Sequence, residues 1–209
     1  DWSSDVCSSD LEYAAQVDTL ITHIQAKKYP SPMFPFISVS DDLQSQFLLA
    51  QRHALTTRPE SAALGPIKPW PRHARIRVAY LSSDFQESPA GYNMVGFFEA
   101  HDRTRFETYA VSFGPDVDSP LRQRLKGAFA HFLEVRNLSD LDIARQLRAL
   151  QIDIAVDIQG PTQNERGGIF ALRCAPIQVN NFGWTSGAPY MDYIKIGRAH
   201  AELQSRLHL

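Results

Sequence analysis

The amino-acid sequence predicts an α/β protein: a Rossmann-like parallel sheet with helices on both faces, preceded by a short helical segment. From Arg75 onward, short apolar runs alternate with amphipathic stretches of helical period, and loops of a few residues separate them. Such alternation favours parallel strands joined by crossover helices that cover both faces of the sheet. Before Arg75, apolar residues recur only at helical spacing, and proline-rich stretches divide the segment.

The helical segment is predicted to cover residues 12–57, followed by a linker over residues 58–74. Its first helix has an apolar residue every three or four positions, namely Tyr13, Val17, Leu20, Ile21 and Ile24. A connector over residues 29–35 is broken by prolines, and residues 40–42 (Ser-Asp-Asp) then supply the start of a second helix. The apolar face of this second helix is predicted to consist of Leu43, Phe47, Leu48, Ala50 and Ala54. Residues 58–71 contain four prolines and one glycine, a composition typical of a linker.

Five strands and the helices between them are predicted within residues 75–194. The predicted strands are residues 75–82, 106–113, 131–135, 152–158 and 176–182, and the predicted helices are residues 92–100, 120–130, 139–150 and 169–172. Ser139 is expected to cap its helix, with Asp142 three positions later returning a hydrogen bond. Four aromatic residues are core by their spacing: Phe97, Phe98, Phe106 and Phe113.

Composition excludes several classes of partner. The formal net charge is -2, which offers no basic field for a nucleic acid backbone, so we expect no nucleic acid partner. No stretch approaches the ~18 uninterrupted apolar residues that a membrane span requires, so we expect no membrane partner. The two cysteines, Cys7 and Cys174, show neither a disulfide framework nor metal-ligand spacing, which favours a reducing, cytoplasmic location.

Both ends of the chain are predicted to be foreign to the protein. Residues 1–11 can be back-translated to a short oligonucleotide, and its complementary strand, after loss of one base, encodes residues 196–205. Two such matches by chance are a poor explanation, so residues 1–11 and 195–209 are predicted to be remnants of a sequencing adapter. The natural chain is then expected to continue beyond Ile194.

Three loops that follow predicted strands form the candidate site, because ligands bind beyond the carboxyl ends of the strands in open parallel sheets. The loop at residues 82–93 carries polar groups to a helix N-terminus, which suits a phosphate or a sugar oxygen. The loop at residues 160–166 is densely polar, and the loop at residues 183–188 has small residues that let backbone approach a ligand. Neither a dinucleotide glycine fingerprint nor a phosphate-loop lysine motif occurs, which disfavours a nicotinamide enzyme or a nucleoside triphosphatase.

The same loops carry a resemblance to a known family. RIRVAYLSSDF at residues 75–85, SFGPD at 112–116, ALRCAPIQ at 171–178, TSGA at 185–188 and MDYI at 191–194 together resemble the O-GlcNAc transferase family. The ALRCAPIQ run is the most specific of these, and the resemblance spans about residues 75–194. Residues 35–42 resemble the helical region that joins the tetratricopeptide repeats of these enzymes to their catalytic domain.

The resemblance implies that the chain is the N-terminal half of the catalytic domain, the first lobe of a two-lobed glycosyltransferase. The implied reaction transfers N-acetylglucosamine from a UDP-sugar donor, with inversion at the anomeric carbon, to serine or threonine of acceptor proteins. No metal and no other cofactor is implied. The partners expected besides donor and acceptor are the missing C-terminal lobe of the same enzyme, and the isolated fragment is expected to be inactive. Two alternatives stay open: a non-catalytic, degenerate relative that acts as a binding module, and an asparagine-directed glucosyltransferase of the same family.

The site residues are carried over by position. Where the family reads His-Pro-x-x-His, this chain has Ser88, Pro89 and Tyr92 in the matching places, so no catalytic residue is assigned. The family's Gly-Tyr-Thr appears as Gly-Pro-Thr at residues 160–162, and its Gly-Tyr-Pro-Gly-Thr is shortened to Gly-Trp-Thr at residues 183–185. The candidate substrate-binding residues are Ser88, Pro89, Tyr92, Thr162, Gln163, Asn164, Arg166 and Thr185.

Other polar residues are predicted to have structural roles. Asp84 is expected to cap the first loop, Asp153 to end the loop before a strand, and Arg173 and Gln178 to lock loop and sheet together. Asp157 either pairs with a backbone donor or faces the site, and the sequence leaves both open.

Overall fold

The structure, a computed structural model, describes residues 2–28, 33–57, 62–160, 162, 164–181 and 188–195. The chain begins with helices α1 (Trp2–Gln25), α2 (Met33–Ile37) and α3 (Leu43–Thr57), followed by a 3₁₀ turn at Ala62–Leu64. The strands are β1 (Ile76–Ser82), β2 (Phe106–Ser112), β3 (His131–Glu134), β4 (Ile154–Asp157), β5 (Ile177–Asn181) and β6 (Tyr193–Lys195). The helices between them are α4 (Pro89–Glu99), α5 (Pro120–Ala128), α6 (Asp140–Ala149) and α7 (Gly168–Ala171).

The strands form one parallel sheet in the order β3-β2-β1-β4-β5-β6, which confirms the predicted α/β fold. The chain first adds β2 and β3 on one side of β1, then crosses through α6 and adds β4 on the other side. The strand order therefore reverses between β1 and β4, the position where open parallel sheets bind ligands. The sequence predicted five strands, and β6 was missed because it is only three residues long and runs into a segment interpreted as foreign.

Helices cover both faces of the sheet, as predicted. Alternate residues of β1 enter different core clusters: Ala79 and Leu81 pack with α6 and α7, whereas Val78 and Tyr80 pack with α4 and α5. Successive side chains of a strand point to opposite faces, so a strand buried on both sides reads as a nearly continuous apolar run. This is the pattern that residues 75–82 show in the sequence.

Serine caps fix where the helices begin. The Oγ of Ser88 accepts a hydrogen bond from the backbone N–H of Gly91, so α4 begins at Pro89, three residues earlier than predicted. Proline suits this first helical position because its missing N–H would have no partner there. At α6 the predicted cap is present, but the Asp142 carboxylate accepts from the Ser139 hydroxyl (2.6 Å) in place of the expected return bond to the backbone.

The helical segment has its own core, and two details differ from the prediction. Pro35 lies inside α2, in the first turn, where a proline removes no helical hydrogen bond. Leu43 and Phe47 are 73% and 49% exposed, because the buried face of α3 instead contains Leu49, Ala50 and Ala54. Ala54 also joins the core cluster under the sheet, so α3 packs against the α/β lobe.

The predicted linker is held against the amino edge of the sheet. The Arg148 guanidinium on α6 donates to the carbonyls of Leu64 and Gly65, both at 2.9 Å. The indole of Trp70 donates to Asp153 Oδ1 (3.0 Å), and Asp153 Oδ2 accepts from the backbone N–H of Arg77 (2.8 Å). The structural role predicted for Asp153 is confirmed.

Helix α1 runs without a break from Trp2, across the boundary predicted at Glu12. The foreign origin of residues 1–11 and 195–209 stays a prediction. In the described part of the chain, no helix combines the length and apolar character needed to cross a bilayer.

Candidate functional site

The loops after β1 and β4 meet at the carboxyl edge of the sheet and form one hydrogen-bonded unit. Its centre is Gln159, whose side chain is 5% exposed. Its Oε1 accepts from Ser82 Oγ (2.7 Å), Ser83 N (2.9 Å) and Ser83 Oγ (3.0 Å). Its Nε2 donates to Thr162 Oγ1 at 2.9 Å. The predicted site residue Thr162 is thereby joined to the start of the loop that contains Ser88.

Asp157, at the end of β4, lies beneath this network. Its Oδ1 accepts from the backbone N–H groups of Gln159 (2.9 Å) and Gly160 (3.0 Å), and its Oδ2 accepts from the Asn180 amide (3.1 Å). Burial raises the pKa of Asp157, and these hydrogen bonds offset the shift only in part. Of the two roles that the sequence left open, the structure shows pairing with backbone donors.

The hydroxyl group of Ser88 hydrogen-bonds to the backbone of its own loop. Besides accepting from Gly91, its hydroxyl donates to the carbonyl of Asp84 at 3.0 Å. Its proton is therefore used within the loop. Pro89 occupies the first position of α4, and Tyr92, in the first turn, is 61% exposed. Of the three residues at the family's His-Pro-x-x-His positions, Pro89 and Tyr92 are exposed, and Tyr92 is the one with a polar group on its side chain.

The other face of the first loop is fixed by Arg122 of α5. This side chain is fully buried, and its Nη1 donates to the carbonyl of Phe85 at 2.8 Å. Its Nη2 contacts both carboxylate oxygens of Glu134 at 2.7 Å, and its Nε donates to Asp116 at 3.2 Å. Arg122 thus ties the loop after β1 to the end of β3.

The remaining predicted residues of the second loop have separate positions. Asn164 is exposed and has a positive φ of 63°, a backbone conformation that asparagine tolerates. Arg166 turns toward the start of α6, where its Nε donates to Asp140 (2.7 Å) and its Nη2 donates to the carbonyl of Leu138 (2.6 Å). Gln163 and Thr185 lie outside the described residues. The structure therefore brings Thr162 to the first loop, while Arg166 holds the second loop against α6.

Sequence reasoning missed Gln159 and misjudged Asp84. A polar residue directly after the buried β4 was the available signal for Gln159, but the predicted loop began one residue later. Asp84 was expected to cap the first loop with its side chain, whereas its backbone makes the loop bonds. Its N–H donates to Ser82 Oγ (2.9 Å), and its carbonyl accepts from Gln86 N (2.7 Å). Its carboxyl group is half-buried, and burial raises its pKa.

The helical segment contacts the second loop. His53 of α3 lies 2.7 Å from Glu165, measured from Nε2 to Oε1. Arg173 and Gln178 behave as predicted: Arg173 binds the Asp192 carboxylate at 2.8 Å, and the buried Gln178 amide donates to the carbonyls of Phe170 and Tyr190.

Two further features concern other kinds of site. Across the described ranges, no three His, Cys, Asp or Glu side chains are grouped closely enough to hold a metal ion. An open groove of about 780 Å³ lies at the opposite, amino edge of the sheet, between Trp70, Asp153 and Arg173.

Comparison with known proteins identifies the relatives of this chain. The profile of the family described as Glycosyl transferase family 41 matches residues 66–207. The probable UDP-N-acetylglucosamine–peptide N-acetylglucosaminyltransferase SEC of Arabidopsis thaliana is 34% identical over 149 residues, covering 70% of this chain and 15% of that protein. The UDP-N-acetylglucosamine–peptide N-acetylglucosaminyltransferase of Caenorhabditis elegans is 35% identical over 123 residues, covering 57% of this chain and 11% of that protein.

A solved structure shares the fold. A mutant of the Thermobaculum terrenum O-GlcNAc transferase matches with a TM-score of 0.64 and 28% sequence identity, covering 87% of this chain and 37% of that one. The chain thus spans well under half the length of each of these three relatives.

Proposed function

The chain belongs to glycosyltransferase family 41, and from this we propose that it forms the first lobe of a hexosyltransferase that transfers N-acetylglucosamine from a UDP-sugar to serine or threonine of acceptor proteins. We further propose that the reaction requires neither a metal nor another cofactor, and that the enzyme is cytoplasmic. The names of the Arabidopsis and Caenorhabditis relatives, which state the same donor and a peptide acceptor, support the proposed transfer.

The observation that carries the proposal is the joined pair of loops at the strand-order reversal. Gln159 connects the loop after β1 to the loop after β4, and both lie where parallel sheets bind nucleotides and their derivatives. The buried hydroxyls of Ser82 and Ser83 hold Gln159 in place, and the partly exposed hydroxyl of Thr162 suits an oxygen of a sugar or a phosphate.

The proposed cleft needs a second wall. The solved relative is more than twice as long as this chain, so we propose that a second lobe of the same enzyme supplies most of the contacts to the nucleotide. The first lobe alone then binds UDP weakly and does not turn over. Tyr92, exposed on the first turn of α4, and Thr162 are the predicted residues best placed to contact the sugar or the acceptor.

A second candidate function is a non-catalytic binding module. It is favoured by the absence of both family imidazoles and by the use of the Ser88 hydroxyl within its own loop. Serine and tyrosine can hydrogen-bond a sugar, but neither is a base at neutral pH.

Two measurements test these proposals. In ¹⁵N-labelled chain titrated with UDP, we expect millimolar binding with shifts confined to residues 82–93 and 157–166. Shifts confined to the opposite edge of the sheet would place the site elsewhere. Expressed with the remainder of its coding sequence, the protein should incorporate radiolabel from UDP-N-acetylglucosamine into protein, in a form released by β-elimination.

The same assay separates the alternatives. Retained UDP binding without incorporation would support the binding module. Incorporation from UDP-glucose into a form that resists β-elimination would support asparagine-directed transfer.

A further inference from the structure

Hydrogen bonds hold the backbone of Asp84, whereas its side chain makes almost none in the described part of the chain. Its N–H and carbonyl are held by Ser82, Gln86 and Ser88 at 2.7–3.0 Å. Its carboxyl group, in contrast, has one long contact in the described part of the chain, 3.4 Å from Ser83 Oγ. The single proton of that hydroxyl is better placed to reach Gln159, whose Oε1 lies 3.0 Å away. The half-buried carboxylate of Asp84 therefore keeps its capacity to accept hydrogen bonds.

Other carboxylates near the carboxyl edge are already paired. Asp157 accepts from three donors, and Glu165 contacts His53. Glu134 and Asp116 both bind the Arg122 guanidinium, and Asp140 binds Arg166. In each of these groups the carboxylate oxygens are already occupied by an ion pair or by N–H donors, which leaves them unable to accept the proton of a bound hydroxyl group. Asp84 has neither.

We propose that Asp84 is the catalytic base, which takes the proton from the acceptor hydroxyl; this rests on the transfer reaction proposed above. It lies in the loop where the family's histidines are replaced by Ser88 and Tyr92, and the Ser88 proton is already donated to the Asp84 carbonyl. The carboxyl group is the basic group that this loop holds in a half-buried position.

The step balances without a further reactant. The acceptor oxygen forms a bond to the anomeric carbon while the bond from that carbon to the β-phosphate oxygen breaks, and its electron pair leaves with UDP. The proton of the acceptor hydroxyl moves to Asp84 Oδ and then to solvent. Burial raises the pKa of Asp84, which makes its carboxylate a better proton acceptor than an exposed aspartate.

The test compares D84N with the wild type, both expressed with the remainder of the coding sequence. The amide keeps the shape of the carboxyl group but cannot take a proton. We expect kcat to fall by about 10²- to 10⁴-fold while KM for the UDP-sugar stays nearly unchanged. The matched control is E99Q at the end of α4, outside the candidate loops, where Glu99 pairs with Arg124 in solvent; it should retain wild-type kcat.

Each outcome decides one question. Wild-type protein that transfers sugar, with D84N equally active, overturns the role of Asp84 and leaves the proposed function standing. Folded wild-type protein that transfers nothing overturns the proposed function and the base together. If D84N does not fold, D84E and D84Q replace it: D84E should be at least tenfold more active than D84Q, and equal activity overturns the proposal.

Discussion

Arg122 shows how one buried side chain fixes a loop. Its guanidinium is completely enclosed, yet it binds the Phe85 carbonyl, the Glu134 carboxylate and Asp116 at once. A buried arginine is tolerated only when its donors are satisfied in this way. Because Phe85 follows Asp84 directly, the position of the first loop depends on this residue.

We predict that R122M destabilises the protein by about 3 kcal/mol, because the Phe85 carbonyl and the Glu134 carboxylate lose their shared partner. Urea unfolding measures the change. The control is R124M on the same helix, where Arg124 pairs with Glu99 in solvent and should matter little. Equal losses of stability in R122M and R124M would show that the buried contacts of Arg122 contribute no more than the exposed ion pair of Arg124.

Asp157 gives a prediction about pH. Its folded pKa is raised by burial, so above the ordinary aspartate pKa of about 3.9 the folded state binds more protons than the unfolded state. The free energy of unfolding therefore falls as the pH rises through this range. In D157N, which keeps an oxygen for the Gln159 and Gly160 N–H groups, this fall should be absent.

Urea unfolding of wild type and D157N at pH 4 and pH 7 checks this. From pH 4 to pH 7, the free energy of unfolding of D157N should rise relative to that of the wild type. A relative loss would mean that the hydrogen bonds to the carboxylate outweigh its burial.

At the level of single residues, the sequence predicted which side chains are buried better than it predicted their hydrogen-bond partners. Arg173, Gln178 and Asp153 had recognisable structural roles, because they lie in or close to buried strands. The sequence shows Gln159 only as a polar residue directly after a buried strand, and its hydrogen bonds to Ser83 on the neighbouring loop are visible only in the structure. Which polar group meets which depends on contacts across about 75 residues of chain, which local patterns do not encode.

At the level of elements, the sheet and its helices followed from periodicity and capping residues. The four helices predicted between the strands appear in order, with ends that shift by at most three residues. The errors fall where the local signal is weak, namely the short β6 and the rotated face of α3. An amphipathic helix in a small helical segment has few neighbours, so its exposed side cannot be separated from its buried side by spacing alone.

The close approach of two loops gives a test at this scale. A Cβ on the buried Gly114, after β2, would collide with the backbone carbonyl of Ser83. We predict that G114A destabilises the protein by about 1–3 kcal/mol and shifts the NMR signals of Ser83 and Gln159. The control is G96A in the middle of α4, where an added Cβ meets nothing within 4 Å. That change should stabilise the protein by about 0.5–1 kcal/mol, since glycine is unfavourable inside a helix. A neutral G114A would show that the first loop can move aside.

At the level of the whole molecule, Arg148 connects the proline-rich segment to the α/β lobe. Its guanidinium donates to the carbonyls of Leu64 and Gly65 on one side and of Leu172 and Arg173 on the other. The segment interpreted as a linker is therefore part of the folded surface. The sequence could not show this, since its composition indicates only the absence of long helices and strands.

We predict that R148M releases this segment, so that trypsin cleaves after Arg72, two residues beyond Trp70, at least several times faster than in the wild type. R145M, which removes an exposed pair with Asp142 on the same helix, is the matched control and should leave the cleavage rate unchanged. Unchanged cleavage in R148M would mean that the contact between Trp70 and Asp153 suffices to hold the segment.

The strand order has a consequence for synthesis on the ribosome. Residues up to 135 contain β1, β2 and β3 with both of their crossover helices, so this half of the sheet can assemble first. Until β4 emerges, the centre strand β1 has an unpaired edge, and such edges invite pairing with other chains. A nascent chain halted in α6 would therefore be prone to aggregation, and the loops after β1 and β4 would meet only once β4 has covered this edge.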